Sequence, residues 1–183
     1  MRVLAYFPAP AEYRPYDQRA VAVACRVGRA IQNVAPELQI EHVGSTSVPG
    51  CSGKGIVDLA VLYGDGFLCR ARAVLDGLEF QKQNGPDPFP ESRPMRVGCM
   101  EHAGQSFRIH AHVIAFASDE HRQLVFFREA LRANSDLRHS YEEGKRAILA
   151  MGITDSHEYC IAKGAFITEA LRKLQSVATP PGI

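Results

Sequence analysis

Apolar residues recur at intervals of three to four from Asp17 to Val34, through Val21, Cys25, Ala24 or Gly28, Ile31 and Val34. That spacing predicts a helix with one buried face, closed by Pro36. A short extended run follows from Gln39 to Val43, and Gly55 to Leu62 is apolar apart from Asp58, the pattern of a central strand. Phe67, Ala71, Val74, Leu75 and Leu78 then fall on one side of a second helix over Gly66 to Glu79. Arg96 to Met100 and Ser106 to Phe116 read as strands joined by a hairpin turn at Glu101 to Gly104. Along the second of these, Phe107, Ile109, Ala111 and Val113 share one face, and Arg108, His110 and His112 the other. Three helical patterns close the chain. The first starts at the N-cap Ser118, the second at the N-cap Ser135 with a stop at Gly152, and the third at Thr154-Asp155, with Tyr159, Phe166 and Ala170 at helical spacing.

Two stretches lack periodicity: the glycine- and serine-rich run from Gly44 to Gly55, and Asn84 to Pro94 with its four prolines. The expected fold is therefore α/β (α+β), a mixed sheet packed with helices and followed by a helical C-terminal part. It is read as one domain over 1–175, with three helices in 118–175 packed on the sheet and a flexible tail at 176–183. At 183 residues, 46% hydrophobic and 22% charged, the chain can bury an ordinary core. A net charge of only +1 withholds the clustered basic excess that nucleic acid selects, so a nucleic-acid partner is not expected. No apolar run reaches the length of a membrane span, and prolines and charges interrupt the first residues where an export signal would need an apolar core. The five cysteines, Cys25, Cys51, Cys69, Cys99 and Cys160, are scattered and odd in number, which predicts reduced thiols and a cytoplasmic setting. Cys25 and Cys160 are expected on buried helix faces, and His102, His121, His139 and His157 at turns or exposed helical positions.

Candidate chemistry begins at the first of those loops. Gly44, Ser45, Thr46 and Ser47 offer backbone N–H groups and hydroxyls, and Lys54 adds a cation, a combination suited to phosphate. A turn whose hydroxyls merely cap nearby backbone is the alternative. Asp58 lies inside an apolar strand, where an ionised carboxylate is costly unless cations or donors face it. Ala60, two residues on, occupies the place where a second carboxylate would complete an Asp-x-Asp metal pair. One aspartate with His110 and His112 is a poor cage for Mg²⁺ and a better one for Mn²⁺ or Zn²⁺; a hydrogen-bonded trio without metal is equally compatible. Arg96, Arg108, Lys145 and Lys163 are further candidate phosphate contacts that otherwise read as solvated faces.

The run from His42 to Gly50, HVGSTSVPG, with Lys54 and Ile56-Val-Asp58 behind it, resembles the signature of the GrpB family of the nucleotidyltransferase superfamily. The resemblance continues through Phe127 to Asn134, Tyr141 to Lys145, and Tyr159 through Lys163 to Ile167, covering Asp17 to about Leu171. It implies a nucleotidyltransferase-like fold in which the Gly-Ser loop faces a strand bearing the catalytic, metal-binding acid, here Asp58. It also implies a nucleoside triphosphate and a divalent metal (Mn, Zn or Mg) as cofactors, and a small phosphate-bearing ligand. Related domains are fused to dephospho-coenzyme A kinase, which leaves two roles open. One is transfer of a nucleotidyl group to an acceptor; the other is a catalytically inactive module that binds a nucleotide or coenzyme A and assists a partner. Gly55 stands where the family usually has proline.

Overall fold

Strand β2 (Val57–Tyr63) takes its place at the middle of the molecule because it has an apolar residue at nearly every position, so that both its faces can be covered. In the computed structural model, which describes residues 2–178, it belongs to a five-stranded mixed sheet of order β1-β2-β5-β4-β3. The other strands are β1 (Gln39–Val43), β3 (Gln81–Lys82), β4 (Met95–His102) and β5 (Gln105–Ala115). β2 pairs parallel with β5 and antiparallel with β1, while β5 returns antiparallel on β4. The hairpin between β4 and β5 turns on Ala103 (φ 49°) and Gly104 (φ 75°), two positive φ values in succession as a tight two-residue turn requires.

Helices α1 (Arg19–Val34) and α2 (Leu68–Gly77) cover one face of the sheet. Val57, Leu59 and Val61 of β2 and Ile109, Ala111 and Val113 of β5 pack there against Val23, Val27, Ile31, Val74 and Leu75. On the other side α3 (Asp119–Ala133) packs on β1 and β5, α4 (Ser135–Ala150) on α3, and α5 (Ser156–Ala178) on α4. Val43, Ala60, Leu62 and Ile114 make a small cluster there, with Leu124 against it. Beyond it Tyr141 joins Val48, Cys51 and Leu131. Among the described residues no helix is long and apolar enough to cross a membrane.

Several expectations are corrected. The buried stripe of α1 is Ala20, Val23, Ala24, Val27, Gly28 and Ile31, whereas Val21 and Val34 are exposed. The stripe runs through Ala20, Val23, Ala24, Val27 and Ile31 at three-to-four spacing, and Gly28 lies against Ile40 of β1. Cys25 and Cys160 are exposed; the buried cysteines are Cys51 and Cys99, and all five are free. α4 is capped by Asn134, whose side chain accepts from the Leu137 N–H, so Ser135 is already helical. Ser118 caps α3 as expected. His121 is buried and tied through Nε2 to Glu41, because α3 crosses the end of β1. The last helix runs to Ala178 instead of ending before Ser176, and 179–183 lie outside the described residues. Strand β3, two residues long, is too short to leave a period in the sequence.

Candidate functional site

The loop after β1 is shaped by one glycine. Gly44 has φ 70° and ψ −175°, and a Cβ there would collide with the Asp58 carboxylate, so the backbone can lie against that acid only without a side chain. Ser45–Ser47 then form a single 3₁₀ turn. Its hydroxyls divide: Thr46 Oγ1 donates to Ile56 O at 2.9 Å and meets His42 Nε2 at 3.0 Å, and Ser47 Oγ donates to Gly44 O at 2.6 Å. Helix α3 grips the loop from outside. Arg132 donates twice to Ser47 O, at 3.2 and 2.7 Å, and Arg128 donates to His42 O at 2.9 Å and to Glu41 at 3.0 Å. Helix α4 grips the following segment through both polar atoms of one peptide residue. Glu142 Oε1 accepts from the Ser52 N–H at 2.5 Å, and Lys145 Nζ donates to Ser52 O.

The parallel register sets Asp58 beside His110 and Ala60 beside His112, so the polar alternate positions of β2 and β5 meet on the face away from α1. His110 Nδ1 lies 3.6 Å and His112 Nε2 3.7 Å from Asp58 Oδ1. One ligand atom from each of the three residues falls within 4.8 Å of the others. The outer nitrogens are engaged too: His110 Nε2 with the Tyr6 hydroxyl at 3.0 Å, and His112 Nδ1 with Arg93 Nη1 at 3.1 Å. Burial pushes the Asp58 carboxyl up, but His112, His110 and Lys163 together outweigh it and hold it at about 2, so it is ionised at neutral pH. Burial, against the pull of Asp58, depresses His110 to about 4, so it is neutral there with a lone pair to offer.

A cleft of about 760 Å³ opens over these three residues. Gly44, Ser45 and Lys54 line it on one side, Lys145 and Lys163 on the helical side, and Tyr6, Phe89 and Arg93 on the side of the proline-rich loop. Lys54 sits over the Tyr159 ring at 4.9 Å. Burial lowers Lys145 to about 8. Burial acts on Lys163 in the same direction, but Tyr141 and Asp58 reverse it and raise its pKa, so it keeps its charge. As a donor set for a divalent ion, one carboxylate and two imidazoles suit an imidazole-tolerant metal better than Mg²⁺. The Tyr6 hydroxyl on the outer nitrogen of His110 is the kind of second contact that orients a ligating ring.

Among the residues singled out by sequence, Gly44, Ser45, Lys54, Asp58, His110, His112, Lys145 and Lys163 converge on this cleft. Thr46 and Ser47 do not line it, their hydroxyls being spent on backbone carbonyls. Arg96 is committed to Asp76 and Glu91, and Arg108 donates to Ala9 O and Lys54 O. Lys145 is buried and Lys163 half-buried, which corrects their reading as solvated faces. Sequence reasoning missed Tyr6, Phe89 and Arg93. Phe89 and Arg93 lie in the aperiodic proline-rich loop and Tyr6 precedes the first predicted element, so no pattern singled them out.

The sequence profile of the GrpB protein family matches residues 10–173. A UPF0157 protein of Streptomyces coelicolor is 31% identical over 83% of this chain and 77% of its own length. Another from Pseudomonas aeruginosa is 32% identical over 92% and 67%. Among solved structures, the conserved protein GrpB from Enterococcus faecalis superposes with a TM-score of 0.66 at 23% identity, covering 90% of this chain and 99% of that one, and so shares its fold. The Cid1 poly(U) polymerase aligns over 73% of this chain and 40% of its own at 13% identity, with a TM-score of 0.48 that is too low to carry weight. The match along nearly the whole chain and the two curated relatives agree, and the protein belongs to the GrpB family.

Proposed function

We propose that the cleft binds a nucleoside triphosphate or a related phosphate-bearing molecule, and that the protein transfers a nucleotidyl group from it to an acceptor. The observation that supports this best is the convergence of Lys54, Lys145 and Lys163 on a cleft that also holds Gly44, Ser45 and the ionised Asp58. Gly44 brings loop backbone to the cleft without a side chain, and Ser45 adds a hydroxyl beside it. The three lysines offset phosphate charge in a partly dry setting, where each cation acts more strongly than in water. Asp58 and His110, with His112 beside them, would hold a divalent ion such as Mn²⁺ or Zn²⁺, which supplies charge neutralisation at the reacting phosphate when bound. The α3 arginines keep the loop in place by holding its outward carbonyls.

A second reading is favoured by Ala60. It shares the face of Asp58, and β5 presents histidines beside it, so β2 lacks the second acid of a two-metal transferase. On that reading the protein is a module that binds a nucleotide or coenzyme A without turnover. A thermal-shift series with the four common nucleoside triphosphates and coenzyme A, each with and without Mn²⁺, separates the two when followed by an assay for released pyrophosphate. The transferase reading expects a metal-dependent shift, with pyrophosphate released as the nucleotidyl group passes to water or to a hydroxyl acceptor added to the assay. A metal-independent shift without release supports the module, and no shift with any phosphate compound contradicts both.

A further inference from the structure

Arg93 reaches from the loop between β3 and β4 into the cleft and is fixed on several sides. Its Nε donates to Glu120 Oε2 at 3.0 Å, its Nη2 donates to Glu120 Oε1, and its guanidinium lies over the Phe89 ring at 4.4 Å. The remaining arm, Nη1, meets His112 Nδ1 at 3.1 Å. A guanidinium has N–H donors and no acceptor, so the Nδ1 it meets must be the bare nitrogen of the ring. In a neutral imidazole the proton then sits on Nε2. That is the nitrogen facing Asp58 Oδ1 at 3.7 Å, where a metal ligand needs a lone pair. His110 is arranged differently: its outer Nε2 meets a tyrosine hydroxyl, which can accept as well as donate and leaves the inner Nδ1 free to be bare.

We infer that Arg93 is a positioning residue that locks His112 in the tautomer unable to bind a cation. While the lock is closed, the metal site has two protein ligands, Asp58 and His110. It gains His112 as a third only when the guanidinium swings away and the ring proton moves to Nδ1. This rests on the reading above that a divalent metal sits at Asp58. It adds a coupling to that reading: a phosphate entering the cleft offers the guanidinium a bidentate partner, and drawing Arg93 off His112 tightens the metal site at the same step.

Two measurements on the full chain test it. Long-range ¹H–¹⁵N correlation spectra of the metal-free protein report the tautomer of each histidine, and His112 is expected as the Nε2–H form in the parent. Titration with Mn²⁺ alone, followed by loss of the free-ion EPR signal, is expected to show at least about tenfold tighter binding in Arg93→Ala, the range over which second contacts tune metal sites. The gain should vanish in Arg93→Ala with His112→Ala, because no third ligand is then there to be released. An Nδ1–H form of His112 in the parent would overturn the lock. So would equal Mn²⁺ binding by the parent and Arg93→Ala. If neither protein binds Mn²⁺ saturably while His112 is still the Nε2–H form, the metal reading fails and takes this inference with it.

Discussion

The two faces of the sheet are built from alternate residues of the same two strands, yet they are organised differently. Facing α1 and α2, Val57, Leu59, Val61, Ile109, Ala111 and Val113 are almost wholly removed from water, and two helices close the surface. Facing the other way, Ala60, Leu62 and Ile114 make only a small apolar cluster, and the next alternate positions are Asp58, His110 and His112, left under an open cleft. One face supplies the rigidity that holds strand register. The other spends that register on bringing a carboxylate and two imidazoles together from residues about fifty positions apart in the chain. A strand that had only to pack would carry apolar residues at both sets of positions.

The largest expected effect breaks the closed face. Leu59→Ala removes a side chain that is 1% exposed and should cost about 2–5 kcal/mol in urea unfolding, through lost transfer free energy and the cavity left behind. A cost below about 1 kcal/mol would mean that this face is not the closely packed one. Next in size is Gly44→Ala on the open face, where φ is 70° and the new methyl meets Asp58. On the order of 1–3 kcal/mol of strain is expected, together with loss of any phosphate-induced thermal shift. Gly50→Ala, also at positive φ (76°) but with open space around its Cβ position, should cost about 1 kcal/mol and leave that shift intact.

Acid should act on both faces, through His42 of β1, opposite Leu59, and through His110 in the cleft. Burial holds His42 and His110 at about 4, below the 6.5 of an unfolded chain, so on acidification the unfolded state takes up their protons first. Their contribution is complete above pH 6.5 and is lost as pH falls towards 4, by up to about 1.4 kcal/mol per pH unit for each. Urea unfolding at a series of pH values should show this slope, and His42→Gln should reduce it. An unchanged midpoint from pH 7 to 5 would contradict the assignment. The smallest effect belongs to neither face: Arg122→Ala breaks an exposed pair with Asp119 and should change stability by less than about 0.5 kcal/mol.

Much of this division was legible in the sequence because period-two alternation in β5 separates Phe107, Ile109, Ala111 and Val113 from His110 and His112 without any knowledge of strand order. The GSTS loop and Asp58 were legible for the same local reason: a glycine, hydroxyls and one charge in an apolar run. What alternation cannot say is which strands are neighbours, so the meeting of Asp58 with His110 needed the parallel β2–β5 pairing. Nor could composition show that Thr46 and Ser47 turn inward, since that depends on where Ile56 O and Gly44 O lie. The face of α1 was misjudged because the series through Val21 and Val34 and the series through Val23 and Val27 both fit three-to-four spacing, so two overlapping stripes compete, and Arg93 went unseen because its partners, Glu120 and His112, lie far along the chain.

The central claim is that the open face at Asp58 receives phosphate. Isothermal titration of a non-hydrolysable nucleoside triphosphate in the presence of Mn²⁺, into the parent and into Lys163→Gln, tests it most directly. Lys163 lines the cleft, keeps its proton and lowers the Asp58 pKa, so it stands where phosphate charge would be offset. The account predicts one saturable site in the parent and at least about tenfold weaker binding in the variant, the loss of one charge-assisted contact of about 1.5–3 kcal/mol. Equal affinity in the two proteins, or no saturable binding by the parent at millimolar ligand, would contradict it.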